Sequence, residues 1–321
     1  MMEILIFALV FLFSFSILFW SSNFLVEALK KISKFLGWKE FVVSFFIVAS
    51  STTIPNFVID VTSAVNKVPH LALGDVIGTN IVNLTLIVAI SALISKAGLS
   101  LPSRTVQGSS IFTILVAILP LILVLDKELS KADGILLLFT FLIYIFWLFQ
   151  KKERFKKVYD GIKEPLTFKF FFKNIFFLIF SILLLLLAGQ GIVKSALFFT
   201  EFFEISLISF GALIVGFGTA LPELSFCIQA ARKSQDWMIV GDVMGSVIMS
   251  TTLVLGTVSL ISPIKNLDFS QLLIARIFLL ISAILFFVFV RTDKKVTKEE
   301  ALFLLFLYFL FIFTQILFLA R

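Results

Sequence analysis

One cysteine, Cys227, and one histidine, His70, are all that this 321-residue chain offers of those residue types. A lone cysteine forms no intramolecular disulfide, and within an apolar run Cys227 reads as a small core side chain. A lone histidine at the loop before the third apolar segment, with no cysteine beside it, supplies no zinc-ligand set. HExxH and GxSxG are both absent, so the side-chain sets of metalloproteases and serine hydrolases are excluded and no enzyme is expected. Charge is scarce too. Asp, Glu, Lys and Arg make up 15% of the chain, against about a quarter in soluble domains. The 27 Lys and Arg exceed the 20 Asp and Glu, but the basic residues sit in short segments between apolar runs. They report topology and not nucleic-acid binding.

What the chain has in excess is apolar sequence: 60% hydrophobic residues, with 42 Phe. This composition predicts an all-α polytopic membrane protein. A helix needs roughly twenty apolar residues to cross a bilayer, and ten candidate spans fit: 4–29, 40–64, 72–95, 109–126, 134–150, 170–194, 206–231, 238–262, 270–290 and 301–319. Glu3 in place of a basic start, and a first run too long for a signal core, argue that the first span is retained. Residues 1–150 and 168–321 form two five-span halves joined by a linker at 151–167.

Twenty of the 27 Lys and Arg fall on one side of this layout and six on the other, with Arg276 inside the ninth span. By the positive-inside rule both termini lie outside and the linker is cytoplasmic, in an inner membrane. Five spans per half is an odd number. The second half therefore enters the membrane in the opposite sense, making the repeat inverted.

An internal repeat marks the centre. At a fixed offset of 167 residues, Thr52, Pro55, Gly74, Asp75, Gly78 and Thr85 recur as Thr219, Pro222, Gly241, Asp242, Gly245 and Thr252. The copies read STTIPN then GDVIGTNIVN (within 51–83), and GTALPE then GDVMGSVIMS (within 216–250). Gly and Pro inside apolar segments predict helix breaks at all four places, where freed backbone groups line a protein-enclosed cavity. Paired interruptions in two halves point to the binding site of a repeat-built transporter.

Ionisable side chains at membrane depth are costly and therefore functional candidates. Glu223, directly after Pro222, leads them. Asp75 and Asp242 either cap helix ends or line an ion path. Asp60 lies four residues after Asn56, on the same helical face, and completes the set of pathway candidates; its repeat counterpart is Cys227. Arg276 reads as a snorkelling side chain or the partner of a buried acid. Thr52, Thr53, Thr79, Asn83, Thr219, Ser246 and Ser250 supply neutral oxygens of the kind hard cations take.

These residues resemble the sodium/calcium exchanger branch of the cation/calcium exchanger superfamily, whose two repeats carry G-T/S-S-x-P-E and then G-x-x-G-S-N. The resemblance covers the whole chain. It implies sodium influx driving calcium export by alternating access, with cations and the lipid bilayer as the partners and no cofactor. It also implies Glu223 as the main acidic ligand, Thr79 and Ser246 as hydroxyl ligands, Asn83 as a polar group one turn on, and Thr52 and Thr219 as oxygen donors. Asn56 and Glu223 should then face each other, with Thr79 and Ser246 completing the cluster.

Departures from the pattern touch the chemistry. Asn56 stands where the family has a glutamate and Ser250 where it has an acid; Ser51, Ala220 and Val247 replace its glycine, serine and asparagine. A unit-charge contact at 4 Å is worth about 4 kcal/mol at an effective dielectric of 20, so one missing carboxylate matters for a divalent ion. A monovalent cation/proton antiporter is the alternative reading. A receptor would not need two polar segments in register.

Overall fold

The computed structural model describes residues 2–35, 40–101, 104–150, 168–292 and 294–319, and for residues 40–52 the backbone alone. Those residues are almost entirely helical. In chain order the helices are α1 (Met2–Phe35), α2 (Glu40–Val65), α3 (Pro69–Ile94), α4 (Arg104–Leu123), α5 (Lys131–Phe149) and α6 (Phe168–Phe202). The second half continues with α7 (Leu207–Thr219), α8 (Leu221–Arg232), α9 (Asp236–Ile261), α10 (Phe269–Arg291) and α11 (Lys298–Leu319). Two dipeptide strands, β1 (Leu99–Ser100) and β2 (Lys295–Val296), pair antiparallel.

Among the described residues, eight helices are long and apolar enough to cross a membrane, and α7 with α8 makes a ninth as a bent pair. The chain is thus an integral multi-pass membrane protein. Position follows composition. Over their most apolar stretches α3 and α9 are 83% buried, whereas α1 is 11% and α6 28% buried. The first two are the centre; α1 and α6 lie side by side at the periphery. There Leu12, Phe13, Trp20, Phe172 and Leu187 are exposed, as lipid-facing side chains are.

Of the four expected breaks, one is present as a bend. α7 and α8 meet at Ala220 with an angle of 40°, which the short GTALPE segment accounts for: Pro222 falls in the first turn of α8, where its missing N–H costs no helical bond. By contrast α2 continues through Pro55, and α3 and α9 run through Gly74, Gly78, Gly241 and Gly245.

The glycines of α3 serve contact and not interruption. A Cβ on Gly78 would collide with the carbonyl oxygen of Ala212, and one on Gly216 would lie 2.7 Å from the backbone nitrogen of Thr79. Without side chains there, the α3 and α7 backbones touch. Small residues permit this approach wherever transmembrane helices associate by packing. The backbone irregularity comes one turn later, as π-helical turns at Asn83–Ile87 in α3 and Ser250–Val254 in α9. A third, Gly211–Val215, lies in α7. Single π turns inside α-helices are frequent at functional sites.

Helix ends are closed locally. Asp268 caps α10 by accepting the Ser270 N–H at 2.9 Å, and that bond holds its carboxyl below the usual carboxylate range.

Candidate functional site

The bend at Ala220 places Glu223 in the first turn of α8, where free N–H groups and the helix dipole favour a carboxylate. The side chain is fully buried. Its Oε1 accepts the hydroxyl proton of Ser246, from α9, at 3.0 Å, and Ser246 Oγ lies 3.3 Å from Thr53 Oγ1 of α2. Three helices thereby converge on one acid. Its Oε2 has no hydrogen-bond partner among the described residues.

A second cluster forms where α3 meets the end of α7. Asp75 Oδ1 accepts from Thr219 Oγ1 at 2.8 Å and from Thr79 Oγ1 at 3.1 Å, and the two hydroxyls are 3.0 Å apart. The Gly216 carbonyl lies 3.2 Å from Thr79 Oγ1. Thr79 therefore associates with Asp75 and Thr219, while Ser246 associates with Glu223. Of the four residues expected to cluster, Ser246 bonds to Glu223 and Thr79 to Asp75, which presents an acceptor one turn before it, while the Asn56 amide bonds to none of them among the described residues.

Asp60 adjoins this group: its carboxyl reaches that of Asp75. The two carboxyls are within hydrogen-bond reach of each other, and no other donor among the described residues meets either oxygen of Asp60. Asp75 and Asp242 sit within their helices and not at the ends, so neither is a helix cap. The counterpart of Asp60 and Asp75 at the 167-residue offset is Cys227 with Asp242. There the thiol lies 3.6 Å from Asp242 Oδ2. Glu223 is within electrostatic reach of both Asp242 and Asp75.

Asn56 and Asn83 are buried, and their amides have no hydrogen-bond partner among the described residues. Ser250 donates to Asn80 Oδ1 at 2.8 Å, and Asn80 Nδ2 donates to Thr251 Oγ1 at 2.8 Å. This α3–α9 link was not anticipated. Its signal was available: Asn80 is an amide in an apolar helix whose counterpart is Val247, so it needs a partner that the repeat does not supply. The Thr52 side chain lies outside the described residues.

Two other candidates are occupied elsewhere. Arg276 donates to the Leu121 carbonyl at 3.0 Å and stands 5.4 Å over the Phe269 ring. It satisfies a carbonyl in the last turn of α4. His70 Nε2 lies 2.9 Å from the Lys265 carbonyl.

Among the described residues, no three or more His, Cys, Asp or Glu side chains converge as a metal cage. The carboxylates come in twos, interleaved with hydroxyls and amides. Such an oxygen set suits hard cations, which accept neutral as well as charged oxygens.

The profile of the family described as "Sodium/calcium exchanger protein" matches residues 6–150 and 173–317. The chain belongs to that family. Sodium/calcium exchanger MaX1 of Methanosarcina acetivorans is 27% identical over 91% of this chain and 93% of its own length. Inner membrane protein YrbG of Escherichia coli is 26% identical over 76% of each. Among solved structures, the sodium-calcium exchanger NCX_Mj superposes with a TM-score of 0.65 at 24% identity, covering 97% of this chain and 99% of the other. At that identity the likeness concerns the fold, which this exchanger-family chain shares from end to end.

Proposed function

We propose that the chain is a secondary cation antiporter in which an inward sodium gradient drives calcium out of the cell by alternating access. The observation that carries this reading is Glu223. It is a fully buried carboxylate at a helix bend, with one oxygen held by Ser246 and the other directed at no donor among the described residues. In this reading the cation is seated by Glu223, Asn56 and Ser246, with Thr52, Thr79, Thr219, Asn83 and Ser250 around it. Asp60, Asp75 and Asp242 flank the path. No cofactor takes part.

The same reading holds α2 and the α7–α8 pair as the spans that complete ten. Residues 1–150 and 168–321 are its inverted halves, with 151–167 cytoplasmic, both termini outside, and the inner membrane as location. Several features support it. The π turns beginning at Asn83 and Ser250 stand 167 residues apart. Leu129 and Val296, also equivalent at that offset, each pair with the segment that follows the central helix of the other half, at Ile264 and Leu99. The named exchangers among the relatives support the substrates.

Asn56 and Ser250, uncharged opposite Glu223, favour a second reading in which one monovalent cation exchanges for protons. Glu223→Gln in proteoliposomes tests the site under either reading. Transport should fall to background while the protein still elutes as a folded species, and a variant with full activity removes Glu223 from the mechanism.

A further inference from the structure

Asp60 and Asp75 place two buried carboxyls side by side. Asp75 Oδ1 is held by Thr219 and Thr79, but Asp75 Oδ2 and both oxygens of Asp60 meet no donor from any other side chain or backbone group among the described residues. The one hydrogen bond left to these three buried oxygens is a proton shared between the two carboxyls themselves, which a cation can displace. Adjacent like charges in such surroundings repel strongly, and a cation between them relieves both at once.

Further oxygen-bearing side chains stand nearby. The Asn56 amide, also buried and without a partner among the described residues, precedes Asp60 by four residues on the same face of α2. The hydroxyls of Thr79 and Thr219 can both donate to Asp75 Oδ1, and in that arrangement their lone pairs are left for a ligand. The other half of the chain provides the control. At the equivalent positions Cys227 points its thiol at Asp242 Oδ2, 3.6 Å away. A thiol there takes the place of the second aspartate, with Glu223 as the acid within electrostatic reach of Asp242, so helix packing does not call for an aspartate at the position of Asp60.

We propose that Asp60 and Asp75, with the Asn56 amide, form a divalent-cation site one helical turn along α2 from Asn56, the position equivalent to Glu223, supplying the negative charge that Asn56 does not. Two carboxylates match the charge of calcium, and an oxygen set of acid, amide and hydroxyl matches its preferences. The site rests on the antiporter reading above for its role, but not for its chemistry.

The test is equilibrium binding of radioactive calcium to the purified full-length protein. Asp60→Asn should weaken calcium binding more than tenfold. Asp60→Cys, copying the residue that the other half carries at this position, should do the same and guards against a folding artefact. Returning the carboxylate one turn earlier, in the double variant Asn56→Glu with Asp60→Asn, should restore affinity to within about threefold of wild type. Wild-type affinity in both Asp60 variants overturns the site, as does a wild-type protein that binds no calcium. Calcium bound through Asp60, but not exchanged for sodium in proteoliposomes, leaves the site standing and removes the exchange reading.

Discussion

Thr219 gives its hydroxyl proton to Asp75 across 2.8 Å, joining residues 144 positions apart in the chain. The bond ties the last turn of α7 to the middle of α3, beside the contact where Gly78 and Gly216 let the two backbones touch. A broken helix is thereby anchored at the end nearer the bend, and α8 leaves from there carrying Glu223. Replacing Thr219 with the isosteric Val removes one donor from a buried carboxylate. Hydrogen bonds to charged groups contribute about 1.5–3 kcal/mol, so Thr219→Val should lower the melting temperature by several degrees. An unchanged melt would show that the bond holds nothing together.

The α3–α7 contact makes a sharper prediction. Gly78→Ala puts a methyl group into the Ala212 carbonyl, and the atoms it meets are backbone, which cannot rotate aside. Overpacking typically costs about 1–3 kcal/mol. The variant should melt earlier than wild type and lose transport. Normal stability would mean that the helices separate more readily than their packing indicates.

Ser246 is the one donor described for the Glu223 carboxylate from another helix. Ser246→Ala should therefore weaken cation affinity by about ten- to a hundredfold, taking about 1.5–3 kcal/mol for a charge-assisted bond, with little change in expression. Direct binding measurements check this, and an affinity within twofold of wild type speaks against a role for Ser246.

Arg276 tests the opposite case. Because its guanidinium satisfies the Leu121 carbonyl and covers the Phe269 ring, Arg276→Leu should destabilise the protein by about 1–3 kcal/mol and leave cation affinity as it is. A large change in affinity at unaltered stability would place Arg276 in the ion path.

Much of this architecture was legible in the sequence because its signals are local. Apolar length marks spans, and a repeated Thr, Pro, Gly and Asp at one offset marks the centre. Glu223 stood out because a carboxylate after a proline in an apolar run is too costly at membrane depth to be idle. The GDxxG segments misled, since glycine signals both helix breaking and close approach, and which one applies depends on the neighbour. For Gly78 that neighbour is Ala212, 134 residues away. The division into a Glu223–Ser246 group and an Asp75–Thr79–Thr219 group was hidden for a similar reason. Each hydroxyl has one proton, and a carboxyl oxygen within reach is the strongest acceptor for it. The pairing of Asp60 with Asp75 needs the separation of α2 and α3, which no spacing within either helix encodes.

The most direct measurement is uptake of radioactive calcium into proteoliposomes loaded with sodium, with a proton gradient imposed in a parallel set. Sodium-calcium exchange predicts uptake that rises with internal sodium, collapses when the sodium gradient is removed, and ignores the proton gradient. Calcium that stays outside at every sodium gradient, while sodium moves against protons, would contradict the account.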